Sequence, residues 1–367
     1  MFSHHTINFL WLISLLTPLA FLILSSPSTH GSFQAQYYEH KHNHEYKHTQ
    51  RPRNILLLTA HPDDECMFFA PTLLALTGHK HGTEPGTNHK SGLLTNSKLN
   101  SGSQSQSQSQ LESDGIAATP DEVNKEDMGN DKVHSLCLST GDADGLGSIR
   151  KNELGASLDV LGVPEGRRWV LEEPFKDNIT LFWDAELIAK YVRPYLVEHN
   201  IDIILTFDKY GISSHPNHIS LYYGVSNLLS NPQHRGLRGY SLRTTPLLQK
   251  YTGVLEAAWL SLENLMCSPL SAPTRPNTLF VKLLAYFTRL THHCETRLNF
   301  KSTVSGDSDL NSLAPPPTFI SGWKEYFTAL KAMTKHHSQL VWFRWLYVSF
   351  SRYMWVNDWI EIQVVLP

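Results

Sequence analysis

The stretch Leu56-Leu57-Leu58-Thr59-Ala60-His61-Pro62-Asp63-Asp64-Glu65 constrains the fold of this chain more than any other. Its apolar half lacks the alternation of a half-exposed strand and reads as a strand buried on both faces, the pattern of a parallel sheet. Its polar half sets a histidine and three consecutive acids directly after that strand. Desolvated carboxylates need a partner charge or a metal. A histidine and an aspartate on one tight strand-to-helix turn are zinc-ligand types. A second cluster, His215-Pro216-Asn217-His218, follows another apolar run, Ile201 to Phe207. The expectation is a fold that brings both clusters around one metal.

Other segments supply the rest of such a fold. Val133 to Ser139 reads as a further buried strand, and Arg168 to Leu171 as a short one. Helical stretches lie between: Met67 to Leu76 with Pro71 in its first turns, Ser148 to Leu161 starting at a serine cap, and Trp183 to His199 with a bend at Pro194. A last helix runs from the second histidine cluster through Leu228, and Ser241 to Val254 offers one more strand. Alternating strands and helices predict an α/β class with a Rossmann-like, mainly parallel sheet flanked by helices. Sites in such sheets form at the carboxyl ends of strands. Both histidine clusters and the loop Thr140 to Gly147 fall there. That loop lacks G-x-G-x-x-G spacing, so a dinucleotide site is not expected. Its glycines let the backbone approach a substrate, with a cation at Asp142 and Asp144 as the alternative. Arg150, in the first turn of its helix, is expected to face the cleft as a substrate-binding residue. A surface ion pair with Glu153 is the alternative.

Residues 1–26 are expected to be an N-terminal transmembrane helix. Ile7 to Leu24 is apolar except for Asn8, Ser14, Thr17 and Pro18, and its ~18 residues reach the lower limit of a span. No Lys or Arg precedes it, while Lys41, Lys47, Arg51 and Arg53 follow, which places the C-terminal side in the cytosol. A cleaved signal peptide is the alternative. The sequon Asn178-Ile179-Thr180 could carry a glycan only in the lumen. Residues 27–53 read as a polar tether, and 54–367 as one domain interrupted by an insert at 78–132. That insert holds the Ser/Gln repeat Ser101 to Gln110 and too few large apolar residues to offset its ordering entropy, so it is expected to be disordered. The four cysteines form no C-x-x-C pair, and Cys66 and Cys137 read as buried, reduced thiols of a cytosolic domain. A net charge of −3 excludes general nucleic-acid binding. The aromatic-rich stretch Ser338 to Trp359 either packs on the core or lies as an interfacial helix at a membrane.

The motif Ala60-His61-Pro62-Asp63-Asp64-Glu65, taken with His215-Pro216-Asn217-His218, resembles the PIG-L/LmbE-like zinc de-N-acetylases. The resemblance covers residues 54–74 and 133–230 and the aromatic C-terminal stretch. The anchor, Phe207 to Ser213 and Ser338 to Arg344 are similar to the family's eukaryotic branch. That branch acts on N-acetylglucosaminyl-phosphatidylinositol at the cytosolic face of the endoplasmic reticulum, in the second step of GPI-anchor biosynthesis. The resemblance implies zinc, or another divalent metal, held by His61, Asp64 and His218. It implies Asp63 as general base and His215 as the group that stabilises or protonates the transition state. The implied partners are a glycosylphosphatidylinositol intermediate and the lipid bilayer. The family often has Asp where this chain has Asn217, which is not expected to be a ligand.

The chemistry agrees with that expectation. Zinc lowers the pKa of a bound water to about 7 and polarises a carbonyl, and amide hydrolysis needs both. Adjacent acids point differently, so Asp64 can bind metal while Asp63 takes a proton. Glu65 is expected either to support a ligand or to act only as a helix-start acid. Two other functions stay open on the residues: a zinc de-N-acetylase for another acetylated sugar in the secretory lumen, and a non-catalytic membrane-tethered scaffold.

Overall fold

The structure, a computed structural model, describes residues 21–33, 52–78, 131–267 and 317–363. These belong to one compact unit made of residues 1–79 and 130–367, and the second unit, 80–129, lies outside the described residues. So do nearly all of the expected anchor and most of the tether. No helix among the described residues is long and apolar enough to cross a membrane.

Eight strands form one sheet: β1 Ser28–His30, β2 Asn54–Thr59, β3 Lys132–Cys137, β4 Arg168–Val170, β5 Ile203–Phe207, β6 Arg238–Leu242, β7 Thr318–Ile320 and β8 Val356–Glu361. Their order is β1-β7-β8-β6-β5-β2-β3-β4. From β6 to β4 every pair is parallel, with Ile55 of β2 opposite Val133 on one side and Ile203 on the other. Ile55, Leu56, Leu57 and Leu58 are wholly buried at the centre of this sheet. Their burial contributes on the order of 6–12 kcal/mol and fixes where the acidic motif emerges.

Two expectations need correction. The sheet is mixed, because β8 runs antiparallel to β6, β7 to β8, and β1 to β7. This edge was hidden because β1 and β7 are only three residues long and because its strands carry polar side chains that tertiary partners satisfy. Asn357 of β8, for example, donates from Nδ2 to the Phe68 carbonyl at 2.8 Å and accepts from Thr72 Oγ1 at 2.8 Å. The stretch 27–53 is also not wholly a tether. Ser28 to His30 joins the sheet edge, and Phe33 is buried with its ring 4.9 Å from that of Tyr240.

Among the described residues the α-helices of five residues or more are α1 Asp64–Phe68, α2 Ala70–Leu76, α3 Gly147–Val160, α4 Ala185–Glu198, α5 Pro216–Ser230, α6 Val254–Cys267, α7 Trp323–Met333 and α8 Trp342–Phe350. The single helix expected after the acidic motif is split at Phe69, and Pro71 lies in the first turn of α2, where its missing N–H costs nothing. In α4 the residues Ile188, Val192 and Leu196, four apart, form one buried stripe. The expected Ser148 cap of α3 is not formed. Asp142 takes its place, accepting the Gly147 N–H at 2.7 Å.

Candidate active site

The site begins where β2 ends. Asp63 has φ 107° and ψ −22°, a left-handed conformation that is costly for a residue with a side chain. The neighbouring acids hold it there. Asp64 Oδ2 accepts the N–H groups of Ala60 at 3.0 Å and His61 at 2.9 Å, and Glu65 Oε2 accepts the Asp63 N–H at 3.0 Å. The three acids therefore diverge: Asp64 faces His218, Asp63 faces Arg344, and Glu65 turns into the core.

His218 arrives from the first turn of α5. Its ring stacks on Phe207 with centroids 4.0 Å apart and planes 2° from parallel, and its Nδ1 lies 3.3 Å from the Gly211 carbonyl oxygen. Gly211 has φ +58°, and a Cβ there would stand 3.0 Å from that of His218, so the close approach requires glycine. His215 caps the same helix, its Nδ1 accepting the Asn217 N–H at 3.3 Å.

The structure brings His61, Asp64 and His218 together, with one potential ligand atom of each within 4.8 Å of the others. His218 Nε2 lies 3.2 Å from Asp64 Oδ1, yet it is buried without a hydrogen-bond partner. Two ligands of one zinc at roughly 2.0–2.2 Å stand about that far apart, so the donor set and the orphaned nitrogen fit zinc. A second group, His61, Asp177 and His215, meets the same distance limit and shares His61. Asp177 Oδ1 lies 3.1 Å and Asn217 Oδ1 3.0 Å from His61 Nε2. Asn217 thus orients His61, and Asp177 is a site residue that the sequence did not reveal. It sits in a coil, and the sequon that follows it gives no sign of a catalytic role.

Charge is distributed unevenly. Burial pushes the Asp63 carboxyl up. Arg344, with Nη2 2.8 Å from Oδ2, pulls it down, Asp64 pushes it up again, and the net shift is upward. Burial also opposes charge on Asp64, but the adjacent His218 outweighs it and holds that carboxyl well below its ordinary range. For His61 burial opposes charge, while the bond to Asp177 and the field of Asp64 raise its pKa on balance. His215 is pushed down to about 4, by burial first and then by His218 and His61. It is a neutral imidazole near pH 7, and with Nδ1 accepting, its Nε2 carries the proton.

Arg150 reaches the site but not as an open substrate group. It is 6% exposed, and its Nη1 and Nη2 donate to the Gly141 and Pro62 carbonyls at 2.7 and 2.8 Å. It clamps the two loops together, with Asp177 3.5 Å from Nη1. The alternative pair with Glu153 does not form, because Glu153 accepts from Ser338. Asp142 and Asp144 are exposed, and Asp142 serves as the α3 cap. Beside Asp177 a groove of about 820 Å³ runs along Ser139, Thr140, Ser148, Lys151 and Lys176.

Comparison with known proteins agrees with this geometry. The family described as PIG-L: GlcNAc-PI de-N-acetylase matches residues 112–229. The N-acetylglucosaminyl-phosphatidylinositol de-N-acetylase of Arthroderma benhamiae is 32% identical over 83% of this chain and 86% of its own. The probable N-acetylglucosaminyl-phosphatidylinositol de-N-acetylase of Dictyostelium discoideum is 27% identical over 88% and 99%. Among solved structures, N,N'-diacetylchitobiose deacetylase from Pyrococcus horikoshii aligns over 84% of each chain at 13% identity, with a TM-score of 0.39. With its histidine and acid clusters at one end of the sheet and a relative this similar over most of its length, the chain belongs to the PIG-L family of de-N-acetylases, which are amide hydrolases.

Proposed function

We propose that this chain is a zinc-dependent enzyme that hydrolyses the N-acetyl group of N-acetylglucosaminyl-phosphatidylinositol, giving glucosaminyl-phosphatidylinositol and acetate. The observation that carries the reading is the convergence of His61, Asp64 and His218 within 4.8 Å beside the buried Asp63 carboxylate. The names of the curated relatives supply the substrate. Zinc held by His61, Asp64 and His218 would supply charge for the amide carbonyl and acidify a water.

The chain's own residues supply the rest. Asp63 takes the water's proton on its buried carboxylate and passes it to the leaving amine. Arg344 holds that carboxylate in place. His215 is neutral and carries its proton on Nε2, so it can donate a hydrogen bond to the carbonyl oxygen as charge develops there. The polar groove beside Asp177 accommodates the sugar head group.

The reading includes the endoplasmic-reticulum membrane, with a single-pass anchor and the domain on the cytosolic side. Asn178 supports that side. Its backbone N–H points to Asn217 Oδ1 at 3.3 Å, one residue from Asp177, so a glycan on its exposed side chain would stand at the site's rim. Acetate release from the lipid, measured for the wild type and Asp63→Asn with metal content alongside, tests the proposal. Asp63→Asn keeps its metal and loses on the order of 10²–10⁴ in rate. Equal rates would remove the base assignment, and a metal-loaded wild type that releases no acetate would remove the function.

A further inference from the structure

We propose that the outer face of α8, continued by the segment 247–259, is a docking surface for a phospholipid bilayer and seats the mouth of the active site on the membrane. The inference deepens the functional reading and rests on its lipid substrate. In α8, Trp342, Phe343, Trp345, Leu346 and Phe350 are 45–75% exposed, and only Val348 is fully buried. Large contiguous apolar surface of this kind marks a partner or a membrane. The inner side of the same helix is committed to the site. Arg344 pairs with Asp63, and the Tyr347 ring packs 5.7 Å from Phe68 in α1. The exposed face is thus the outside of a wall that lines the catalytic base.

Two further observations identify the occupant. At its C-terminal end α8 adjoins Gly253, where a Cβ would lie 2.9 Å from the Phe350 carbonyl oxygen. Leu248, Leu255 and Trp259, exposed by 88%, 73% and 63%, extend the apolar surface from there. The apolar run Ile7 to Leu24 also ends on this part of the fold. The Leu24 carbonyl accepts the Trp323 N–H at 3.0 Å where α7 begins, and Phe21 stacks on Trp323 at 5.8 Å. Tyr326 of α7 in turn donates to the Val348 carbonyl of α8 at 3.2 Å. The segment with membrane-span composition therefore ends on the helix bonded to α8. Tryptophan and phenylalanine on a short helix suit the boundary between head groups and acyl chains. A bilayer accounts for both the aromatic face and the end of the apolar run, whereas a soluble partner accounts only for the first.

The test uses the full chain in phosphatidylcholine vesicles, with Cys267 and Cys294 replaced by Ser and a fluorophore on Leu346→Cys or, as a control, on Val197→Cys of α4. The label at 346 is expected to be quenched severalfold by brominated acyl chains and shielded from iodide, and the control the reverse. Iodide quenching at 346 equal to the control would overturn the proposal. So would shielding from both quenchers, which would mean a second copy or another protein on this face. In a second arm, Trp342→Ser/Leu346→Ser should lower acetate release from the vesicle-embedded lipid by about tenfold. It should spare the water-soluble head group without acyl chains, and equal loss on both substrates would count against docking. If the wild type releases no acetate from either substrate, the functional reading fails, and the labelling result still decides the docking surface.

Discussion

Behind Asp63 lies a buried ion pair whose removal should cost more than that of any exposed pair in the fold. Glu65 Oε1 meets His336 Nε2 at 2.7 Å and accepts from Ser157 Oγ at 2.5 Å, and both members of the pair are 0% exposed. Burial opposes charge on each, but each stabilises the other's charged form, so His336 is raised above 6.5 and Glu65 lowered below 4.5. Removing one partner of such a pair strands the other in an apolar environment, at a cost of about 3–5 kcal/mol. His336→Leu should therefore consume a large part of a domain stability of roughly 5–15 kcal/mol. Glu65→Gln keeps an oxygen for the Asp63 N–H and should cost less, about 1–3 kcal/mol. The double variant should be less destabilised than the sum of the two, with a coupling of at least about 1.5 kcal/mol. Urea unfolding of the detergent-solubilised chain, followed by tryptophan fluorescence, measures all three. The His336 contribution is complete below 6.5 and is lost as pH rises through its raised pKa, and the Glu65 contribution is complete above 4.5 and is lost as pH falls through its lowered one. The gap between wild type and His336→Leu should thus be widest between those values and narrow on the alkaline side. A gap under about 1 kcal/mol, or one that widens as pH rises, would refute a charged pair.

Three other outcomes follow from the site. His61→Ala and His218→Ala should each lose stoichiometric metal in elemental analysis, and chelation should abolish wild-type activity until zinc is restored; a fully loaded His218→Ala chain would exclude that ligand. Arg344→Met removes the cation that lowers the Asp63 pKa, so the acidic limb of the pH–rate profile should move to higher pH, and a limb that stays put or moves down would show that Arg344 does not act on the base. Gly141→Ala introduces a Cβ 2.4 Å from Arg150 Cζ at φ +70° and should destabilise the fold by about 1–3 kcal/mol in thermal melts, whereas an unchanged melting temperature would mean that the Arg150 clamp is loose.

What the sequence revealed depended on how local its cause was. The strands β2, β3 and β5 are buried on both faces, and the apolar runs of β2 and β5 appear in any short window. The two histidine clusters are likewise contiguous, and their strand-end positions follow from the α/β rule. The antiparallel edge was not legible. β1, β7 and β8 contain Thr, Asn and Asp side chains whose partners lie far along the chain, as with Asn357 and Phe68. Asp177, Arg344 and His336 lie far along the chain from their partners, and only the fold shows that they meet His61, Asp63 and Glu65. The aromatic C-terminal stretch allowed packing or a membrane face, and the structure divides it. Tyr353, Trp355 and Trp359 are buried, and Trp342, Phe343 and Trp345 are exposed.

The acidic motif shows why chemistry and folding are hard to separate here. A turn that enters a helix directly from a buried strand leaves several N–H groups without backbone partners, and burying them unpaired would cost about 1–3 kcal/mol each. The motif supplies its own acceptors. Asp64 takes two of those N–H groups and Glu65 takes the third, the one on Asp63. The same Asp64 presents its other oxygen to His218. The positive φ at Asp63 is tolerated because these bonds fix the residues on both sides of it, and that conformation points its carboxylate away from Asp64 toward Arg344. Asp64→Ala should therefore lose stability as well as metal. Asp63→Asn makes no change to the acceptors of the turn and should leave the fold intact. A comparison of the two variants by melting temperature and metal content separates the acid that builds the turn from the acid that carries the proton.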